Sequence, residues 1–277
     1  MGEQIMTTPP NFPESFLLLQ QEGHLISSCL GTGLTDLRAA HVHNKGAFYS
    51  ALFNLSVGIE RLMKAIVIIE HMLTNNLAVP TKKQLKVYGH NIVDLYDCCS
   101  SIANAKDIDF PDRQDLNTVQ RELLSLLSDF AQTTRYHNLD ALNPSHVGKD
   151  PLAHWGEILL AILEQDVSKH QKERILGQAT LVASAIDDIT TTVMVGTDKN
   201  PLTTEDALAL PGLHDQAAKY AVLHLIKLLV PLRDLTSDLC HLAYSLNMPI
   251  PPFPQMQEFI DWIWDDRQYV LRKKKWP

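Results

Sequence analysis

The segment 44–75 constrains the fold of this chain more than any other. Phe48, Leu52, Phe53, Leu55, Val57, Ile59, Leu62, Met63, Ile66, Ile69 and Met72 cover most sides of one helix. A helix that is apolar all round has to be surrounded by other elements, because a single neighbour covers only one stripe. The rest of the chain offers helices to do this. Apolar residues recur at three- and four-residue spacing over long windows, no long run alternates apolar and polar residues, and no Asn-Gly or Asp-Gly hairpin turn occurs. The expected fold is all-α, a multi-helix bundle around one core.

The periodicity predicts further helices over 14–29, 92–103, 111–131, 151–194 and 213–247, and a short one over 255–264. Gly31 and Gly33 are expected to stop the first. Asp150 and Pro151 suit an N-cap and a first helical turn. The polar stretch 164–174 is expected to break or solvate the long 151–194 region. Residues 133–149 and 196–212 read as loops, and Pro231 should kink or divide the helix that holds it. Residues 249–254 read as a stiff extended connector, and the run Arg272-Lys-Lys-Lys275 as a solvated tail or a phosphate contact beside Trp276. Three segments follow: 1–40, a helix and loop; 41–148, a helical bundle; and 149–277, helices that add to it. No sharp boundary and no internal repeat is visible.

Composition excludes several functions. The 277 residues carry a net charge of −8, which argues against broad electrostatic capture of polyanions but leaves room for a small basic groove. Four cysteines without a C-x-x-C pair read as reduced bystanders in a cytoplasmic protein. The first residues do not read as a secretory signal, and no apolar stretch reaches the roughly 18 residues that span a bilayer. Phosphate-loop, dinucleotide and nucleophile-elbow motifs are absent. His154-Trp-Gly-Glu157 lacks the partners of a di-metal site, so no metal and no cofactor is expected.

Twelve histidines make His–Arg pairs worth weighing. A histidine can move the proton of a ribose 2′-hydroxyl, and a nearby arginine can stabilise charge developing on phosphorus. Two places fit: Arg38-Ala-Ala-His-Val-His43, and Arg135-Tyr-His137-Asn138-Leu-Asp140. Each also reads as a plain polar loop or a helix-ending turn. On 44–75, the polar residues Ser50, Asn54, Arg61, Lys64 and His71 share one stripe, which lines a cleft or faces solvent. Glu60 and Lys64 have the spacing of an ordinary intrahelical pair.

The stretch Gly58-Ile-Glu60-Arg61-Leu-Met-Lys64, then Gly89-His90-Asn-Ile-Val-Asp94-Leu-Tyr96, then Arg135-Tyr136-His-Asn138, resembles the HEPN superfamily of small helical bundles over about residues 44–140. The resemblance implies a homodimeric, RNA-directed protein, including a metal-independent endoribonuclease in toxin–antitoxin or antiviral defence or in stress. It places Arg135, His137 and Asn138 as catalytic candidates and Arg61, Lys64 and His90 as RNA contacts. One residue separates Arg135 from His137, where the family's ribonucleases have four to six. The other reading, also represented in that superfamily, is a non-catalytic helical partner or scaffold, such as an antitoxin-like subunit. The two differ in one respect. In a ribonuclease, Arg135 and His137 from two chains should lie near each other on a positively charged surface, whereas in a scaffold they should be scattered or paired with acidic residues.

Overall fold

The computed structural model describes residues 12–277 except Tyr88, Pro144, His146, Val147, Asn247 and Pro249. Among these the chain forms ten α-helices and no strand. They are α1 (Glu14–Ala39), α2 (Lys45–Thr74), α3 (Lys82–Lys86), α4 (Ile92–Ala105), α5 (Thr118–Gln132), α6 (His137–Asp140), α7 (Pro151–Gln165), α8 (Lys169–Ile186), α9 (Thr204–Tyr244) and α10 (Arg267–Arg272). No helix among the described residues is long and apolar enough to cross a membrane.

The apolar rod is central, as its composition requires. α2 packs against α1, α4, α5 and α9 at once, and Leu55, Ile59, Met63, Ile66 and Ile69 are fully or nearly fully buried. α1 runs antiparallel to it. It does not stop at Gly31-Thr-Gly33 but continues to Ala39, because the glycines serve packing rather than termination. A side chain at Gly33 would lie 2.9 Å from the Leu55 backbone nitrogen, and one at Gly58 of α2 would lie 2.8 Å from Leu30. The two helices approach where neither side offers a Cβ.

Other helix boundaries follow their caps. α5 starts at Thr118 rather than near Pro111, since Asn117 and Gln120 form a capping box. α7 starts where Asp150 caps and Pro151 fits. The expected break in 164–174 falls at residues 166–168, where Ser168 caps α8. α9 departs most from expectation. Thr203 and Asp206 form a capping box that opens the helix at Thr204, eight residues before Gly212, and the helix passes through both Pro211 and Pro231. Each proline removes one backbone hydrogen bond, and neither divides the helix because its flanks are held by packing.

One hydrophobic core joins residues of α1, α2, α4, α5, α7, α9 and α10 with Phe253, Ile260 and Trp276, so all three sequence segments share it. The 255–264 segment is a 3-10 turn at Met256–Phe259, not a full helix. The tail is not free: Trp276 is 8% exposed, and its N–H donates to Thr35 Oγ1 at 2.9 Å. α8 stands apart. It packs mainly on α9 and buries only Ala179 and Ala183.

Candidate functional site

The residues singled out in the sequence form two clusters. The first lies where α2 meets the turn before α4. Asn91 caps α4, accepting from the Val93 and Asp94 N–H groups, and Gly89 supplies the positive φ that the turn needs. That turn brings the Gly89 carbonyl to 2.6 Å from Lys64 Nζ. Lys64 also donates to Glu60 at 2.7 Å, and His90 Nδ1 lies 3.0 and 3.1 Å from the two Glu60 oxygens. Beside them Arg61 donates to both oxygens of Glu22 on α1, at 2.7 and 2.9 Å. Glu22, Glu60, Arg61 and Lys64, with Leu19 and Ile68, border a depression of about 340 Å³, which His90 does not line. Its two permanent cations face two carboxylates, so it carries no net positive charge. Arg61 ties α2 to α1, and Lys64 ties α2 to the turn before α4.

Arg135, His137 and Asn138 form the second cluster, elsewhere. Arg135 sits in a 3-10 turn, Thr134–Tyr136. Its guanidinium folds back onto the Ala131 carbonyl, satisfying an end of α5. His137 is buried, with Nε2 at 3.7 Å from Asp150. Asp150 in turn caps α7 and holds Lys199 at 2.6 Å. Burial pushes the Asp150 carboxyl up, but hydrogen bonds from Lys199 and the Leu152 N–H, with the charges of Lys199 and His137, outweigh it and hold the pKa below the usual range. Asn138 donates to the Tyr49 hydroxyl at 2.7 Å, and burial raises the Tyr49 pKa. These three side chains fasten the 133–149 connection to α2, α5 and α7. Tyr49 and Lys64 are about four helical turns apart, roughly 22 Å along α2, so within one chain the six candidates do not share a cleft.

The other sequence candidates also resolve into pairs. Arg38 is buried and donates to Asp215 at 2.8 Å; His43 instead lies against His41, ring centroids 5.7 Å apart. His154 meets Glu122 at 3.1 Å, while Glu157 meets Lys149. The stripe on α2 lines no common cleft: Ser50 donates to Asp36, Asn54 to the Ser50 carbonyl, and His71 lies beside Asn75. Among the described residues no group of three or more His, Cys, Asp or Glu is placed to hold a metal ion. None of the four cysteines is in a disulfide. Burial raises the pKa of Cys29, Cys99 and Cys240, the last to about 11, which suppresses the thiolate a nucleophile needs.

Sequence reasoning missed two features. His224 bridges α9 to Asp166 at 2.9 Å and approaches Asn117. His214 is buried beside Phe48, and its pKa is driven down to about 4 by burial, with added repulsion from His41 and His43. Both histidines lie on the buried side of α9, and that periodicity was the available signal. Comparisons of the chain with protein-family models, with curated proteins and with solved structures returned no match.

Proposed function

We propose that this chain is a non-catalytic helical interaction protein. One observation carries the reading: the cations expected to face RNA are held by carboxylates of their own chain. Arg61 is paired with Glu22, Lys64 with Glu60, and His90 lies against Glu60. Neutralised cations give little counterion release, which is the main source of affinity for a phosphate backbone. Arg135 remains exposed but turns one guanidinium nitrogen back onto the Ala131 carbonyl, and His137 is buried beside Asp150, which supports this reading. The arm formed by α8 and the start of α9 is the surface this reading assigns to a protein partner. There, and in the 3-10 turn Asp187–Ile189 between them, Leu181, Val182 and Ile189 are exposed, and exposed apolar side chains suit protein contact.

A HEPN-like, RNA-directed protein, including a metal-independent ribonuclease acting as a homodimer, is the second reading. In its favour, His90, 30 residues on in the sequence, meets the Glu60–Lys64 pair. One experiment separates the two: incubation of the protein with total RNA and with tRNA in EDTA, beside Arg135→Ala and Asn138→Ala. The expected result is intact RNA in every lane. Cleavage that survives EDTA and disappears in Arg135→Ala would overturn the interaction reading.

A further inference from the structure

Where the end of α1, the first half of α9 and the C-terminal tail meet, a cleft of about 350 Å³ opens, lined by Thr35, Arg38, His41, Asp215, Lys274 and Lys275. Nothing in the proposed function uses it. The tail builds one wall. Trp276 is buried and bonded to Thr35. Gly31 is the residue that lets the tail approach, since any Cβ there would collide with the Pro277 carbonyl oxygen at 1.6 Å. This anchoring fixes the backbone on either side of the lysines and holds Lys274 and Lys275, both exposed, at the rim.

Arg38 forms the floor. It is 7% exposed. One of its nitrogens, Nη1, donates to Asp215 at 2.8 Å, while Nε is buried without a hydrogen-bond partner. A buried guanidinium donor left unpaired is costly. Asp215 is half exposed and is shared with Lys219 at 3.4 Å. The charges that line the cleft are therefore three cations (Arg38, Lys274, Lys275) against one carboxylate, a local excess of two in a chain whose net charge is −8. Their mutual repulsion is relieved by an anion. A planar guanidinium with flanking ammonium groups suits phosphate oxygens. The volume lies within the range of small-molecule sites.

We propose that this cleft binds a small molecule bearing a phosphate or diphosphate group. Arg38 orients the oxygens, Lys274 and Lys275 supply charge at the rim, and Asp215 is the counter-ion that holds Arg38 when the cleft is empty. The inference is independent of the interaction reading, because it needs neither RNA nor a partner.

Titration of the full chain with inorganic pyrophosphate and with inorganic phosphate, at low ionic strength, followed by calorimetry and by thermal unfolding, tests it. Pyrophosphate should bind and raise the melting temperature as its concentration passes the Kd. The exposed double variant Lys274→Ala/Lys275→Ala should melt like the parent without ligand and bind about tenfold or more weakly, as expected when two charge-assisted contacts are lost. Citrate separates phosphate recognition from simple anion attraction. No heat and no melting shift in the parent, equal affinity in the double variant, or citrate binding as tightly as pyrophosphate would each overturn the proposal. Arg38→Lys keeps the charge but not the fork and should weaken binding further. Should it fail to fold, the double variant still decides.

Discussion

The bundle around α2 and the arm made by α8 with the start of α9 are both helical, yet they are held by different means. α2 is enclosed by four helices and buries Leu55, Ile59, Leu62, Met63 and Ile66 almost completely. α8 meets mainly α9, and the side chains it buries are two alanines. Ile175 packs on Gly212 of α9, while Leu181 is 73% exposed and Val182 46%. Burying a leucine contributes about 2 kcal/mol and a methyl group far less. The arm relies instead on local devices: the Ser168 cap, the Thr203–Asp206 capping box, Thr180 donating to Glu205 and Thr204 donating to Asp187. Such bonds shape a helix but add little cooperativity. Hydrophobic burial ties the bundle into one unit, and local bonds hold the arm.

That contrast can be broken or sharpened by measurement. The largest effect belongs in the bundle. Leu34→Ala, at a site with no exposure, should lower unfolding free energy by about 2–5 kcal/mol in urea titration. A loss below 1 kcal/mol would mean that the bundle is as loosely held as the arm.

Acid should come next. His214 is buried and neutral, with a folded pKa of about 4 against an unfolded value near 6.5. Because the unfolded chain takes up the proton first, its contribution is fully favourable above pH 6.5 and declines as pH falls toward 4. The difference amounts to about 3 kcal/mol. Urea midpoints at pH 7, 5.5 and 4 for the parent and His214→Gln should show a shallower decline in the variant. Parallel declines would assign the acid sensitivity elsewhere.

Gly33→Ala should cost about 1–3 kcal/mol, because the new methyl meets Leu55 backbone at 2.9 Å. Smallest of all is Leu181→Gln in the arm, which should leave stability within about 0.5 kcal/mol while weakening retention of any protein partner. Hydrogen exchange makes the same comparison without substitutions. Amides of α8 should exchange by local opening, well before those of α2, and equal protection would unite the two regions.

The rod at 44–75, the all-α class and the start of α7 were legible in the chain itself. Each depends on residues within a turn or two of one another: apolar spacing on α2, and Asp150 followed by Pro151. The candidate site was less legible. Glu60 and Lys64 are neighbours on one helix, but their meeting with Gly89 and His90 requires the α3–α4 turn to fold back over α2. Arg61 finds Glu22 across 39 residues, and Arg38 finds Asp215 across 177. No local pattern names such partners.

Local spacing made this chain helical and put α2 at its centre, because helix formation and amphipathic periodicity are governed by contacts of three and four residues. Tertiary structure decided the rest. Gly31 and Gly33 read locally as a helix stop, yet α1 runs through them, since the close approach of Leu55 and of the Pro277 carbonyl needs positions without a Cβ. Residues 204–212 read as a loop with a proline, yet α9 holds them because its capping box and the face it shares with α8 outweigh one lost hydrogen bond. The basic tail reads as solvated, yet Trp276 buries its ring and joins Thr35 from 241 residues away, which sets two lysines beside a buried arginine. For α1 and the tail, burial of apolar surface between distant segments exceeded the local preference, and only the assembled bundle carries that free energy.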